Sequence, residues 1–286
     1  MMTSADYETL RKQPVDMVRG HIRAGRYRGH TAGFAPGRLQ ANLAILGDGY
    51  ADDFLEFCRR NARPCPLVGL SRRGDPMMPA LGDIDIRTDV PSYNVYRDGV
   101  LTDTVHEIGD LWRDDMVAFA LGCSFTFERA LAAAGIRQKH IEANTTVPMY
   151  ATDIALEAVG PFQGTMVVSM RAIPEAQVEL AQRITSAYGH AHGAPIHTGD
   201  PAAIGIADLE RPDWGEPTVI APRDVPVFWA CGVTPQNVLR AARPPICITH
   251  TPGRMLVTDR DEDDAGVLVT QTHIERAEPA GAAKTA

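Results

Sequence analysis

The stretch TMVVSMRAIPEAQVELAQRITSAYGHAHGAPIHTGDPAAIGI, residues 165–206, indicates the fold class most directly. It opens with an apolar run rich in β-branched residues, 165–171, which lies between a glycine and a proline and is typical of a buried strand. Pro174 favours the start of a helix, and Gly189 favours its end. A second strand is expected within residues 194–206. We therefore interpret the stretch as one strand–helix–strand unit of an α/β protein.

Further elements are predicted on both sides of this unit. A stripe of apolar residues predicts a helix over residues 50–61, and residues 36–46 are interpreted as another helix that begins at Pro36. A helix interrupted at Gly122 is expected over residues 112–135. Strands are predicted at CPLVGL (65–70), VPVFWA (225–230), PPICITH and RMLVTD (within 244–259).

The order of these elements predicts two domains. Each flank supplies strands, but neither flank has enough to close a sheet alone. We predict a discontinuous α/β main domain formed by residues 1–115 and 220–286, and an inserted smaller two-layer α+β domain formed by residues 116–219. The tail after about residue 260 is acidic and then low in complexity, and its last ten residues are expected to be disordered.

Composition and charge exclude several classes of protein. The 286 residues include 28 Lys and Arg against 36 Asp and Glu, a net charge of −8 with no basic block, so nucleic acid is not an expected partner. There is no apolar run of about 18 residues and no apolar segment at the N-terminus, which predicts a cytoplasmic protein without membrane association. The five cysteines are widely spaced and form no CxxC pair, which favours reduced thiols.

Polar and potentially reactive residues gather in five segments that are otherwise apolar or rich in Gly and Pro. Catalytic residues commonly lie on loops at the ends of rigid elements, and pockets commonly form between domains. We therefore expect all five segments to line one pocket where the insert meets the main domain. They are GCSFTFE (122–128), VSMR (168–171), HAHGAPIHTGD (190–200), FWACGVTPQ (228–236) and ITHTPG (248–253).

The third segment contains three histidines and an aspartate, for which three interpretations stay open. His190, His192, His197 and Asp200 could bind a divalent metal, although their spacing matches no familiar metal motif. One of the histidines could instead transfer protons or bind substrate. They could also only shape a loop by hydrogen bonding to backbone carbonyl groups.

Two cysteines, a glutamate and an arginine are the other candidates for chemistry. Cys123 precedes a predicted helix, whose N-terminus would lower the pKa of the thiol, and Cys231 occupies a similar loop. Each could equally be a small buried hydrophobic residue. Glu128 would be an acid–base candidate if burial raises its pKa. Arg171, at the end of an apolar strand, could bind a carboxylate bidentately or form an ordinary salt bridge.

Taken together, the phrases of this sequence resemble the hydro-lyase family that is also described as D-glutamate cyclase-like. The resemblance covers roughly residues 15–260 in order. The matching phrases are TAGFAPGRLQANLAIL (31–46), DFLEFCRRNARPCPLVG (53–69), DIRTDVPSY (85–93), GCSFTFE (122–128), VPMY (147–150), VVSMR (167–171), HGAPIHTGDPAAIGI (192–206), VPVFWACGVTPQ (225–236) and ITHTPGRMLVTD (248–259).

The resemblance implies a two-part α/β protein with lyase activity of the water-removing type, in one branch the cyclisation of D-glutamate to 5-oxo-D-proline. The partner is then a small-molecule carboxylate, no metal or organic cofactor is needed, and a homo-oligomer stays open. Two alternatives remain: a cysteine-dependent amide hydrolase, and a non-catalytic binding protein for a carboxylated metabolite such as 5-oxoproline.

Motif matching and chemistry together select the candidate site residues. Cyclisation needs a group that holds the carboxylate, an oxyanion site and a proton donor for the leaving oxygen. The candidate catalytic residues are Cys123, Glu128, His192, His197, Cys231 and His250, and the candidate substrate-binding residues are Ser124, Tyr150, Arg171, Asp200, Thr234 and Gln236.

Overall fold

The structure is a computed structural model that describes residues 7, 9–143 and 145–277. Helices and antiparallel sheets alternate along the chain, so the predicted mixed α/β class is confirmed. No helix among the described residues is long and apolar enough to cross a membrane. The predicted disorder of the last ten residues concerns a segment that, apart from Ala277, lies outside the described residues.

The helices and strands occupy the following residues. The helices are α1 (Val15–Arg23), α2 (Asp48–Arg60), α3 (Phe125–Ala133), α4 (Lys139–Glu142), α5 (Val178–Ser186) and α6 (Val233–Ala242). The strands are β1 (Arg38–Leu46), β2 (Leu67–Leu70), β3 (Tyr93–Arg97), β4 (Val100–Val105), β5 (Val117–Gly122), β6 (Met149–Ala155), β7 (Thr165–Pro174), β8 (His197–Thr198), β9 (Asp224–Ala230), β10 (Cys247–His250) and β11 (Leu256–Asp261).

A seven-stranded sheet is built around β1. Its strand order is β2-β5-β1-β10-β3-β4, and β11 pairs with the part of β1 that β10 leaves free. The predicted helix over residues 36–46 is therefore wrong. All but the first residue of β1 are buried, because both faces of this central strand are covered. A continuous apolar run of this kind does not distinguish a buried strand from a buried helix.

A four-stranded sheet has the order β6-β7-β9-β8. The predicted strand at 165–171 and the helix after it are confirmed as β7 and α5. The second strand of the predicted unit is only the two residues of β8, which pair with β9 and not with β7. The predicted strand, helix and strand therefore belong to one sheet, but they do not form a unit of their own, because β9, which comes later in the chain, lies between the two strands and pairs antiparallel with both.

Two strands cross the predicted domain boundaries. β5 lies within the predicted insert but pairs with β1 and β2 in the larger sheet. β9 lies within the predicted main domain but pairs with β7 in the smaller sheet. The predicted domain boundaries lie in predicted loops. Each of these apolar strands, however, is buried only when it has neighbouring strands on both edges. The division of the chain into two domains stays a prediction.

The helices after these two strands also cross between the sheets. After β5, α3 packs against the smaller sheet, where Phe127 shares a core with Trp229. After β9, α6 contributes Val238 and Leu239 to a core on the larger sheet that includes Phe54. The two strand-to-helix junctions, at residues 122–125 and 230–233, therefore lie where the sheets meet.

Candidate active site at two strand–helix junctions

The two junctions share one local pattern. Each strand ends at a small residue, a cysteine follows, and a small residue in right-handed helical conformation precedes the helix: Cys123 and Ser124 before α3, Cys231 and Gly232 before α6. Neither helix has a side-chain N-cap hydrogen bond. The first-turn N–H groups of a helix carry a partial positive charge. The junctions therefore present two helix N-termini that can interact with an anion.

Asn42 of β1 links the two junctions on one side. Its Nδ2 atom donates a hydrogen bond to the carbonyl oxygen of Gly122 at 3.0 Å. A Cβ atom on Gly232 would lie only 2.6 Å from the same Nδ2 atom, so the second junction packs directly on this side chain. Asn42 is buried. Asn42 was not among the residues expected at the site, although an amide within the largely apolar phrase LQANLAIL indicates a buried polar group.

Arg171 of β7 links the junctions on the other side. Its guanidinium packs against the rings of Phe127 and Trp229, with its Cζ atom 5.0 and 5.4 Å from the two ring centroids. One terminal nitrogen donates to Ser124 Oγ at 3.2 Å and to Glu128 Oε1 at 2.5 Å. The other terminal nitrogen donates to Ser169 Oγ at 3.1 Å. Arg171 thus contacts residues from the end of β9 and from the start of α3.

Glu128 neutralises the positive charge of Arg171 inside the protein. Its Oε1 atom also lies 3.1 Å from His140 Nε2, and all three side chains are buried. Burial raises the pKa of the Glu128 carboxyl, but Arg171 and His140 outweigh it and hold that pKa below its usual value. This is the opposite of the sequence expectation for a buried acid. Glu128 is therefore an ionised carboxylate, and Arg171 already has an internal anion.

Both cysteines are protonated thiols at neutral pH. Burial raises the pKa of the Cys123 thiol to about 12, although the N–H of Phe125 and the charge of Arg171 act in the other direction. Burial likewise raises the pKa of Cys231. The expected lowering of the Cys123 pKa by the helix N-terminus is therefore wrong, because desolvation dominates. Cys123 is half-buried and Cys231 is buried.

His192 has a free acceptor atom beside this cluster. Its Nδ1 atom lies 2.7 Å from the carbonyl oxygen of Arg63, which only accepts hydrogen bonds, so Nδ1 carries the proton and Nε2 is the acceptor. Nε2 is buried and has no partner among the described residues. Burial, together with the smaller effect of the nearby charge of Arg171, lowers the pKa of His192 to about 4. The imidazole is therefore neutral.

The backbone of His192 is also unusual. It adopts φ 78° and ψ −10°, a left-handed conformation that costs free energy for a residue other than glycine. Two residues earlier in the chain, the carbonyl oxygen of His190 packs closely on Gly122. A Cβ atom added to Gly122 would overlap this oxygen. The loop that carries His192 is therefore pressed onto the first junction. Strained backbone of this kind is concentrated at functional sites.

The remaining histidines of the predicted site hydrogen bond to the backbone. His190 Nε2 contacts the carbonyl oxygen of Glu262 at 2.8 Å, and His197 Nε2 contacts that of Asp200 at 2.7 Å. The side chain of Asp200 accepts from the N–H of Ala202 at the start of a short 3₁₀ helix. Among the described residues, no three His, Cys, Asp or Glu side chains are grouped to bind a metal ion.

His250 and Tyr150 lie apart from the two junctions in their side-chain contacts. His250 Nδ1 accepts the N–H of Leu43 at 3.1 Å, which extends the pairing of β1 with β10. Burial lowers the pKa of His250 to about 4, which keeps Nδ1 free to accept. Tyr150 donates to the carbonyl oxygen of Leu209 at 2.7 Å. Their predicted roles in catalysis and binding stay predictions.

The last two candidates belong to α6. Thr234 Oγ1 accepts the N–H of Val167 at 2.9 Å and donates to the carbonyl oxygen of the same residue at 3.1 Å, which fixes the helix start to β7. Gln236 is half-buried two residues later. The contacts thus bring four of the five predicted segments together at the junctions, whereas ITHTPG (248–253) contacts β1 through His250.

A cavity of about 500 Å³ lies beside the larger sheet. Its lining includes Val68, Met78, Arg260 and Val267, and none of the predicted site residues. The site at the junctions therefore rests on its contacts and unpartnered groups rather than on cavity size.

Comparison with known proteins shows which class of protein contains these junctions. A family model described as D-glutamate cyclase matches residues 117–259, which span both junctions, β7 and the histidine loop. Proteins described as "Putative hydro-lyase" are similar over most of the chain. The one from Jannaschia sp. (strain CCS1) is 62% identical over 247 residues, 86% of this chain and 93% of the relative. The one from Dinoroseobacter shibae is 59% identical over 258 residues, 90% and 86% of the two chains.

The chain therefore belongs to the D-glutamate cyclase family, whose relatives here carry the hydro-lyase name. Among solved structures, a nitrogen repressor-like protein MJ0159 from Methanococcus jannaschii superposes with a TM-score of 0.37 at 9% identity, covering 87% of this chain and 99% of that chain. At that level of similarity nothing about function follows.

Proposed function

We propose that the protein is a lyase that removes water from a small amino acid, and that it cyclises D-glutamate to 5-oxo-D-proline. The family supports a water-removing lyase. The observation that carries the proposal is the buried Nε2 atom of His192, which has no partner in the described part of the chain, near two helix N-termini without a side-chain cap. Such a site suits a ligand that has carboxylates and an N–H donor.

The charges at the junctions suit the two carboxylates of glutamate. Because Glu128 neutralises Arg171, that arginine is not available as a full counter-ion for a substrate. The N-termini of α3 and α6 take over this role, since each favours an anion through its first-turn N–H groups. We assign the α-carboxylate to one helix N-terminus and the γ-carboxyl group to the other. Arg171 and Glu128 then position Ser124 at the first junction.

Cyclisation requires the amine to attack the γ-carbon. The C–N bond forms, a C–O bond breaks, and the two protons lost by the ammonium group leave with that oxygen as water. His192 Nε2 accepts a proton from the ammonium and passes it to the departing oxygen, a role for which its neutral form is required. The two substrate carboxylates raise its proton affinity when they bind. The helix N–H groups stabilise the tetrahedral oxyanion.

The test is turnover of D- and L-glutamate followed by NMR, with His192→Gln as the variant. Loss of a proton-transfer group typically lowers the rate about 10²- to 10⁴-fold. His106→Gln is the matched control, because the Nδ1 atom of His106 also contacts a backbone carbonyl group, at 3.0 Å, but its side chain is exposed. We expect lactam formation from D-glutamate with wild-type protein and the control variant only.

Three results of this test would contradict the proposal. Lactam formation at the wild-type rate by folded His192→Gln protein would remove His192 from the mechanism. Saturable binding of 5-oxoproline without any turnover would identify a binding protein instead. Hydrolysis of amides by the wild-type protein, abolished by a thiol-blocking reagent, would identify a cysteine-dependent amide hydrolase instead.

A further inference from the structure

We propose that Cys123 and Cys231 form a pair of proton-transfer groups on the two sides of the substrate α-carbon, so that the protein also exchanges the α-hydrogen of an amino acid with water and interconverts its enantiomers. This activity rests on the proposed function for its substrate class, an α-amino acid. It does not belong to cyclisation, which leaves the α C–H bond intact.

The placement of the two thiols carries the inference. They occupy equivalent positions, one residue after the end of a strand and two residues before a helix. Asn42 joins the adjoining residues Gly122 and Gly232 from one side. Arg171 contacts Ser124 and Trp229 from the other.

The two sulfurs are also electrostatic neighbours. A charge on Cys231 would raise the pKa of Cys123, and Arg171 lowers the pKa of both, so both thiols face the same cluster. Cys123 is half-buried, which leaves one of the pair accessible to a ligand. His192 supplies the independent sign of a ligand, since its buried Nε2 atom lies near the same arginine and no described residue is its partner.

The chemistry balances without a cofactor. One sulfur, as a thiolate, takes the proton of the α C–H bond, and the electron pair of that bond spreads onto the carboxylate as an enediolate. The helix N–H groups stabilise the added negative charge. The S–H group on the opposite face delivers its proton to the α-carbon, and exchange with water restores the first state. The ammonium group of the bound amino acid favours the thiolate that starts the sequence.

Deuterium incorporation tests this inference separately from cyclisation. D- and L-glutamate are incubated with the full-length protein in D₂O, the α-proton and the lactam are followed by NMR, and the enantiomers are separated by chiral chromatography. The variants are Cys123→Ser and Cys231→Ser. The control is Cys247→Ala, which removes another buried thiol, one from β10 whose raised pKa arises from burial alone.

Each outcome has a defined meaning. We expect wild-type protein and the Cys247 variant to incorporate deuterium, and each of the other two variants to lose about 10²- to 10⁴-fold of the exchange from a different enantiomer. Lactam without α-deuterium would overturn this inference and leave the proposed function standing. Deuterium incorporation without lactam would overturn the proposed function and leave this inference standing. The thiol pair would be overturned if the wild-type reaction gave neither lactam nor deuterium incorporation, or if both single variants showed full exchange. Circular dichroism is used to confirm that each variant is folded.

Discussion

Glu128→Gln would test whether the site depends on a compensated buried charge. The substitution keeps the shape of the side chain but removes the anion that lies 2.5 Å from Arg171. The guanidinium would then keep only uncharged acceptors among its described contacts, namely the hydroxyl groups of Ser124 and Ser169 and the amide oxygen of the new side chain. Its Nε atom already lacks a partner among the described residues. The variant therefore contains a buried, uncompensated positive charge.

The expected cost follows from the burial of the pair. The side chains of Arg171 and Glu128 are only 3% and 9% exposed, so water does not replace the lost carboxylate. Removal of one partner of a buried ion pair costs about 3–5 kcal/mol, because the other charge stays desolvated. Total stabilities of about 5–15 kcal/mol are usual. The substitution should therefore remove a large share of the free energy of unfolding while the protein still folds.

The assay is urea unfolding at pH 7, with Glu179→Gln as the matched control. Glu179 forms a similar ion pair with Arg183 at 2.8 Å, but the two side chains are 85% and 62% exposed. An exposed pair on one helix contributes only about 0.3–0.5 kcal/mol. We expect a loss about tenfold larger for Glu128→Gln than for the control. A loss below about 1 kcal/mol would refute the view that this buried charge pair holds the site together.

Two further substitutions test the packing and the pH dependence of the same region. Gly122→Ala should destabilise the protein by about 1–3 kcal/mol, because the new Cβ atom would overlap the carbonyl oxygen of His190. Gly20→Ala, at a position of α1 with open space around it, should stabilise the protein by about 0.5–1 kcal/mol. Equal stabilities of the two variants in urea unfolding would disprove the close approach of His190 to Gly122. The pKa of His250 falls from 6.5 to about 4 on folding. The stability that depends on its neutral form is therefore complete above pH 6.5 and is lost as the pH falls towards 4. The total loss is about 3 kcal/mol. His250→Gln, which still offers an acceptor to the N–H of Leu43, should flatten this decline between pH 7 and 4.5, and an unchanged slope would contradict the assignment.

The sequence predicted those elements whose limits are set by local chemistry. Glycine and proline enclose the apolar run of β7, and the helix of α5 follows with a clear apolar face, so both were found. Cys123, Ser124 and Cys231, which follow directly after apolar strands, were selected for the same reason, and Arg171 was selected as a charged residue within an apolar strand; their roles stay predictions. These local patterns also carried the family resemblance that the comparisons confirm.

Features that depend on distant contacts were not predictable from one sequence. The prediction of a helix at β1 failed for two reasons: its partners along one edge, β10 and β11, lie about 200 residues later in the chain, and its burial on both faces removes the alternation that marks a strand. His140, which contacts Glu128, lies in a short helix with no motif of its own. The tautomer of His192 depends on the carbonyl group of Arg63, and backbone carbonyl groups leave no trace in the identity of a residue. The lowered pKa of Glu128 likewise required knowledge of its partners.

The position of β1 in the larger sheet has a consequence for biosynthesis. One edge of β1 pairs with β5, and the other edge pairs with β10 and β11, with Ala44 opposite Thr249. A ribosome that adds about 5–20 residues per second needs about 10–40 s to make the intervening 200 residues. During this time the nascent chain carries an apolar strand with one unpaired edge, a template for wrong pairing between chains. Overexpression at low temperature or with a holding chaperone should therefore raise the soluble yield more than any change at the protein surface.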